Sequence, residues 1–572
     1  MYDLGFDIKP VKGLIISGQG VFKGYEYKSK SYTALQPNAI NYFSGEEIAG
    51  TGVTKNKMSM DWQSTNTMLY TATARYDWSN DKHAVGALVG TSYEHYKYER
   101  LAGSREEFPS DALTDMEAGS TSGAGYTNGA GSSEYKMLSY FARVNYTLMD
   151  RYLFEVNMRA DASSRFHKDH RWGYFPSFSA GWRMSEESFM KDIEWINNLK
   201  IRASYGTLGN INNVGNYDYF QNYSSGNHYN FSDSPVIGIG ESKPANETLG
   251  WEKVALTDIG LDFDIFNGLL GVTADYYIKN TSDILLGYNV PTETGITAAP
   301  SQNIGKVKNT GFELALNHRN KIGAVNYSIG ANIATNKNKI TNLGGSDNII
   351  QTSSYIVKYI LKKGESIGSF YGFKTDGLYT QADIDAGHYY TLSGVVPNAG
   401  DIKFVPQRDI EYKQEITDED RTILGKDVPD FTYGVNLSLQ YKGFEFSMFG
   451  QGISGTKVAF DVYGVHPFYH GQDSPRKYHL KRWTEENPNP HAAYPRIYSA
   501  SSVHTTYNRN FSDYHLFDSD YFRFKTLSLG YTVPSATVKN WGLQSLKVYV
   551  TGENLFTVRA DKKMEDFGNS QI

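Results

Sequence analysis

The feature that most constrains the fold is a period-two alternation of apolar and polar residues that recurs along most of the chain. In one segment, Phe154, Val156 and Met158 alternate with Glu155 and Asn157. Successive side chains of a β-strand point to opposite faces, so such a segment has one apolar wall and one polar wall. Similar alternations occur at 199–205, 259–265, 312–317, 435–441 and 546–550. About sixteen segments of this kind predict an all-β protein.

The connections between these segments alternate between short and long. Short connections lie at 79–82, 149–151, 267–268 and 442–443, and long ones at 31–61, 102–133, 207–250 and 341–429. Tight turns at one end and long loops at the other are the layout of an antiparallel barrel in a bacterial outer membrane, where about 9–11 residues cross the lipid bilayer. The pattern therefore predicts a transmembrane antiparallel β-barrel with long extracellular loops. The region 341–429 is too long for a structureless connection, so we expect it to be folded and functional.

The composition agrees with a barrel and excludes several other classes of protein. The 572 residues include 44 Tyr and 55 Gly but no Cys, the formal net charge is −6, and the mean hydropathy is −0.49. No apolar run approaches about 18 residues, which excludes a helical membrane protein. The near-balance of charge argues against nucleic-acid binding, and the absence of Cys excludes a disulfide scaffold and a zinc–thiolate site.

Motifs that could carry chemistry are isolated, and we assign no catalytic residue, cofactor or metal site. Ser366 lies in a Gly-x-Ser-x-Gly pattern, but the residues after it are poor helix formers, whereas a nucleophile elbow needs a helix there. His466 and His470 are four residues apart, and His167 and His170 are three apart. Neither pair has an evident third ligand, so ordinary loop histidines are the simpler interpretation. We expect a protein that is not an enzyme.

Several longer motifs give a more specific indication of family. The chain contains RWGYFPSFSAGWR at 171–183, NLKIRASYG at 198–206, NTGFE at 309–313, DGLY at 376–379 and GENLFT at 552–557. These motifs follow one another in the order typical of the SusC/RagA family of TonB-linked (TonB-dependent) outer-membrane proteins of Bacteroidota. The chain therefore resembles the C-terminal barrel portion of that family.

The resemblance implies the barrel of a nutrient importer. Members have a 22-stranded barrel, a plug domain, a TonB box that couples import to the TonB complex, and a SusD-like surface lipoprotein as a lid. Their substrates are mostly oligosaccharides, and in some members oligopeptides. Residues 1–572 correspond to the barrel, with about sixteen of the 22 strands. Nothing in the sequence resembles the signal peptide, plug, TonB box or last strand. The alternative is a barrel without transport, such as an adhesin or surface scaffold, or an inactive fragment.

One departure from the family pattern concerns an acidic segment. Members often carry a glycine-rich acidic turn at 400–420, whereas this chain has Asp401, Asp418 and Asp420 there without the glycines. A calcium site built on closely spaced carboxylates needs that sharp glycine turn, so we expect no metal here. A solvated acidic loop is the expected structure.

A cluster of aromatic residues in the loop 207–250 is the candidate binding surface. Its members are Tyr217, Tyr219, Phe220, Tyr223, Tyr229 and Phe231. Aromatic rings pack against the C–H faces of sugars and also anchor protein interfaces. The cluster therefore faces either the substrate or the lid lipoprotein, and the alternative is packing of a large loop against itself.

Overall fold

The structure is a computed structural model, and it describes most of the chain. The described residues are 1–121, 125–231, 234–287, 301–352, 356–459, 466–467, 475–499 and 501–561. Within them, 17 strands belong to one large antiparallel sheet. This confirms the all-β prediction and agrees with the number of alternating segments.

The strands in the first two-thirds of the chain are long. They are β1 (Tyr2–Ile8), β2 (Leu14–Thr33), β3 (Lys57–Ser79), β4 (His83–Glu106), β5 (Thr127–Leu148), β6 (Tyr152–Ser163), β7 (Trp172–Arg183), β8 (Ile196–Asn210), β9 (Asn222–Phe231), β10 (Ser234–Lys243), β11 (Glu252–Ile265), β12 (Leu270–Gly287), β13 (Ser301–Ile322), β14 (Val325–Thr335) and β15 (Lys337–Leu343). Several exceed the expected 9–11 residues, and β4 has 24. Because the paired strands continue into segments predicted as loops, the loops are shorter than predicted. The connection expected at 31–61, for example, spans only 34–56.

The remaining elements are short strands of the long connections and the last strands of the large sheet. They are β16 (Asn348–Thr352), β17 (Lys358–Lys362), β18 (Ser369–Gly372), β19 (Lys374–Leu378), α1 (Gln381–Asp385), β20 (Thr391–Leu392), β21 (Ile402–Val405), β22 (Glu415–Ile416), β23 (Thr422–Lys426), β24 (Phe431–Tyr441), β25 (Phe444–Ser454), β26 (Lys457–Ala459), α2 (Val503–Asn508), β27 (Leu516–Asp518), β28 (Tyr521–Thr532), α3 (Ser535–Lys539) and β29 (Lys547–Arg559). Single 3₁₀ turns occur at Met116–Ala118, Met184–Glu186, Asp418–Asp420, Lys477–Lys481 and Asp513–His515. None of the helices in the described ranges is long and apolar enough to span a membrane.

Residue contacts divide the chain into two compact units. The first comprises Met1–Ser179, Gly206–Lys253 and Leu285–Asn303. The second comprises Ala180–Tyr205, Val254–Ile284 and Ile304–Ile572. In the first unit, β1 to β6 form an antiparallel meander in which each strand pairs with the next.

The meander of the first unit carries the predicted apolar and polar walls. Phe154, Val156 and Met158 on β6 are 40–48% exposed, as expected for side chains that face lipid. On the other face, Asp161 is buried and accepts a hydrogen bond from Arg159 at 2.9 Å. The period of two therefore identified both walls of this strand.

The first unit also has a compact apolar core beyond the sheet. The core consists of Phe166, Phe175, Val214, Tyr219, Leu249 and Trp251. The Trp251 indole donates to the backbone oxygen of Arg171 at 2.8 Å. Arg165 donates to the backbone oxygens of Ile211 and Val214 at 3.0 and 3.2 Å, so it fixes the start of the loop that follows β8.

In the second unit, β14, β24, β25, β28 and β29 continue an antiparallel meander. The turn between β24 and β25 has two residues, Lys442 at φ 45° and Gly443 at φ 88°, and it pairs Tyr441 with Phe444. Two residues with positive φ give a turn whose twist matches that of the strands it joins, and glycine suits this conformation. Tight turns of this kind set the register of the meander.

The long connections of the second unit fold around their own core. Eight short strands and α1 lie between β15 and β24 in the described residues. The largest core cluster contains Phe373, Leu378, Ile402, Phe404, Trp483 and Tyr507, which come from two connections far apart in sequence. We refer to the described residues of 344–429 and 475–518 as the loop subdomain.

Candidate functional site

The polar wall of the second unit contains a network of charges. The Arg202 guanidinium lies 2.7 Å from Asp275, 3.3 Å from Asp258 and 3.4 Å from Asp262. Lys200 lies 3.6 Å from Asp262. Two cations and three carboxylates therefore lie together on one face of β8, β11 and β12, so most of the charge on this wall is paired within the sheet.

The aromatic cluster of the first unit separates into a buried and an exposed part. Tyr219 is 9% exposed and belongs to the apolar core, whereas Tyr217, Phe220 and Tyr223 are 44%, 49% and 64% exposed. Phe220 stacks on Tyr219 with ring centroids 4.2 Å apart, and Tyr217 lies 6.4 Å from Phe220. The side chains of Tyr229 and Phe231 lie outside the described residues. Self-packing thus accounts for Tyr219, and three rings remain available to a ligand or partner.

The loop that carries these rings is more ordered than a simple connection. Within the expected loop 207–250, β9 and β10 form an antiparallel hairpin, and Tyr223 lies opposite Glu241. Asp218 accepts hydrogen bonds from Lys243 at 3.0 Å and from the backbone N–H of Gly215 at 2.6 Å. These contacts hold the segment of Tyr217 and Phe220 against the base of the hairpin.

The acidic segment of the loop subdomain differs from the solvated loop that the sequence predicts. Asp420 has no exposed surface, and Arg408 donates to both of its carboxylate oxygens. Burial raises the pKa of Asp420, but the hydrogen bonds from Arg408 and from three backbone N–H groups outweigh it and lower the pKa to about 2. The prediction failed for this residue because its partner, Arg408, occupies the position where water was expected.

Asp401, from the same acidic segment, is also fully buried. It accepts hydrogen bonds from Asn508 and His504, both at 2.8 Å, and from the backbone N–H of Asn398 at 2.7 Å. Asn508 and His504 lie on α2, more than 100 residues away, so no sequence spacing predicted the contact. Asp401 connects the two long connections that form the loop subdomain.

The serine and histidine motifs identified in the sequence make ordinary structural contacts where the structure describes them. Ser366 donates to the backbone oxygen of Ile367 at 2.9 Å and lies 3.3 Å from Asn338, so its hydroxyl stabilises a turn. His167 lies 3.3 Å from the exposed Asp169, and His470 lies outside the described residues. No group of three or more His, Asp or Glu residues able to hold a metal ion occurs in the described part of the chain.

Long antiparallel strands with one exposed apolar wall and one charged wall define the class of outer-membrane β-barrels. A family model described as "TonB dependent receptor-like, beta-barrel" matches residues 2–555. The chain therefore belongs to the TonB-dependent receptor β-barrel family, and it is an outer-membrane protein. The resemblance to the SusC/RagA proteins is confirmed.

Curated relatives agree with this assignment. The chain is similar to TonB-dependent receptor P3 of Formosa agariphila, with 30% identity over 545 residues that cover 93% of this chain and 52% of the relative. It is also similar to TonB-dependent receptor SusC of Bacteroides thetaiotaomicron, with 29% identity over 441 residues that cover 75% of this chain and 41% of the relative. The chain spans about half the length of the curated relatives it matches. These relatives are receptors rather than enzymes, as predicted.

Solved structures show the same fold. The RagAB peptide transporter matches with a TM-score of 0.78 and 24% identity, over 97% of this chain and 57% of that chain. The RagAB peptide importer in its open-open state matches with a TM-score of 0.79 and 23% identity over the same shares. At this level of identity, the likeness establishes the shared fold.

Proposed function

We propose that the chain forms the barrel of a TonB-dependent importer of large oligomeric nutrients, oligosaccharides or oligopeptides. The observation that carries the proposal is the charged wall around Arg202, which lies on a sheet whose opposite wall is apolar. A charged wall is stable next to water or a polar domain, not in lipid, so it suits a polar passage. Family membership supports transport through that passage, driven by the TonB complex.

The extracellular loops suit a partner at the mouth of such a passage. We place a SusD-like surface lipoprotein there, because SusC and RagAB are among the similar proteins. The exposed rings of Tyr217, Phe220 and Tyr223 offer a surface to the lipoprotein or to the substrate. Rings of this type dominate both protein interfaces and sugar-binding surfaces.

Deletion of the complete gene that contains this chain, in the organism of origin, tests the proposal. We expect the strain to lose growth on one class of oligomer, either glycans or peptides, and to recover it with the complete gene. Uptake of that oligomer should stop when a protonophore dissipates the proton-motive force. Unchanged growth on every oligomer, together with loss of surface adhesion, would favour the adhesin or scaffold instead.

A further inference from the structure

A cleft of about 790 Å³ lies in the second unit, beside the end of β14, the start of β24 and the end of β25. Its walls come from residues of 335–338, 364–369, 423–431, 455–457 and 518–520. We refer to it as the rim cleft. Its volume is within the range of small-ligand sites, about 300–1,000 Å³.

The rim cleft is lined by apolar and polar groups and contains a single aromatic ring among its described residues. Buried Asn338, Ser366, Ser369 and Thr456 line it with hydroxyl and amide groups. Phe431 is the one aromatic residue among the described lining residues. Sugar-binding sites rely on aromatic faces, so this lining is a poor match for a neutral oligosaccharide.

Charged side chains of both signs occupy the walls. Lys426 forms an ion pair with Asp430, and Lys457 lies 2.8 Å from Asp518. Asp520 accepts hydrogen bonds within the wall. These charged groups are already paired or hydrogen-bonded within the wall. They therefore line the cleft without needing an oppositely charged group from a ligand.

Two further charges have no such partner. Lys337 and Glu365 line the rim cleft and are exposed, and neither side chain forms an ion pair or hydrogen bond with another residue in the described ranges. Asn336 also lines the cleft, and its Oδ1 atom is buried without a hydrogen-bond donor from the described residues. Among the described residues, the cleft therefore presents one unpaired cation and one unpaired anion to a ligand, from Lys337 and Glu365.

We infer that the rim cleft binds an oligopeptide, which makes oligopeptides the substrate class of the importer. A peptide supplies a carboxylate for Lys337 and an ammonium group for Glu365. A neutral sugar would cover both charges without pairing them, and an unpaired buried charge is costly. The inference rests on the proposed import function. It favours oligopeptides, whereas the resemblance found in the sequence favoured oligosaccharides.

Binding to the complete receptor tests the assignment. The probe is a pool of synthetic peptides of about five to nine residues, a length that suits a cleft of this size, and neutral maltooligosaccharides of similar mass are the comparison. We expect the peptides to bind more tightly than the sugars. Lys337→Gln and Glu365→Gln should each weaken peptide binding about tenfold, because each removes one charge-assisted hydrogen bond. The matched control is Lys339→Gln, on the same strand but outside the lining.

Modified peptides identify which charge each residue recognises. C-terminal amidation should abolish the effect of Lys337→Gln, and N-terminal acetylation should abolish the effect of Glu365→Gln. Peptide binding that is unchanged in both variants, or equal binding of the neutral sugars, overturns the inference. If protonophore-sensitive uptake of sugars persists in that case, the import function stands and only the substrate class is wrong. If neither oligomer is taken up, the proposed function itself fails.

Discussion

The guanidinium of Arg408 donates two hydrogen bonds to the carboxylate of Asp420, from Nε at 3.1 Å and from Nη2 at 2.6 Å. The carboxylate has no exposed surface, while Arg408 also reaches Glu419 at 3.1 Å. The positive charge that balances this acidic segment therefore comes from Arg408, a side chain of the protein itself. The pair joins two ends of one connection in the loop subdomain.

Removing the guanidinium should loosen the loop subdomain. We expect Arg408→Ala to destabilise it, because the buried Asp420 carboxylate loses its cation and keeps only its backbone N–H donors. Limited proteolysis of the complete receptor measures this as faster cleavage within the loop subdomain. Exposed Lys363→Ala is the control and should have no effect. Equal resistance of Arg408→Ala to cleavage would mean that Asp420 does not need the ion pair.

Acid should weaken the loop subdomain through a pair of buried histidines. The rings of His515 and His466 lie 5.4 Å apart. Burial lowers the pKa of His515 to about 4, and burial, with His515, Arg509 and His479 nearby, lowers the pKa of His466 well below its usual value. The unfolded chain takes up its protons near pH 6.5, before the folded chain does. Stability should therefore fall between about pH 6.5 and pH 4, by about 3 kcal/mol for His515.

Hydrogen exchange of α2 in the complete receptor, followed from pH 7 to pH 4, measures this loss after correction for the intrinsic exchange rate. His515→Phe should reduce the pH dependence, since it removes one of the titrating groups. His388→Phe, at an exposed position, should leave the dependence unchanged. A pH profile that is the same in His515→Phe and in the unmodified receptor would contradict the prediction.

The charge network of the polar wall should be strongly coupled. We expect Arg202→Gln to destabilise the barrel by about 2 kcal/mol, because Asp258 and Asp275 then lose their shared cation while Asp262 still has Lys200. Asp275→Asn in the same chain should restore part of that loss, with a coupling of about 1 kcal/mol. Urea unfolding of the complete barrel in detergent measures each variant. Arg143→Gln, whose partner is the neutral Asn157, is the comparison and should cost less. Strictly additive effects would show that the charges act independently.

The aromatic cluster should respond differently at buried and exposed positions. Tyr219→Ala should destabilise the core of the first unit by about 3 kcal/mol, since it leaves a cavity among packed residues. Phe220→Ala and Tyr223→Ala should leave folding intact and lower the apparent affinity of uptake several-fold. Uptake kinetics, together with the amount of receptor in the outer membrane, separate the two effects. Uptake that is unaffected by both exposed variants would remove these rings from the binding surface.

The β-strand conformation and the two walls of the sheet were predictable from the local sequence pattern. The alternation at Phe154, Val156 and Met158 identified the exposed wall, because the direction of a strand side chain depends only on its position in a period of two. The turn at Lys442–Gly443 was also predictable, since glycine at positive φ is a local preference. Motif order in the sequence was enough to indicate the family.

The side-chain contacts that form the charge network and hold the loop subdomain together join residues far apart in the chain. Arg202 meets Asp275 across 73 positions, and Asp401 meets Asn508 across 107. No period in the sequence encodes these distances, because strand register and the packing of separate connections bring the partners together. For the same reason, the sequence indicated a solvated acidic loop, whereas the fold buried Asp401 and Asp420 and gave each carboxylate hydrogen-bond donors.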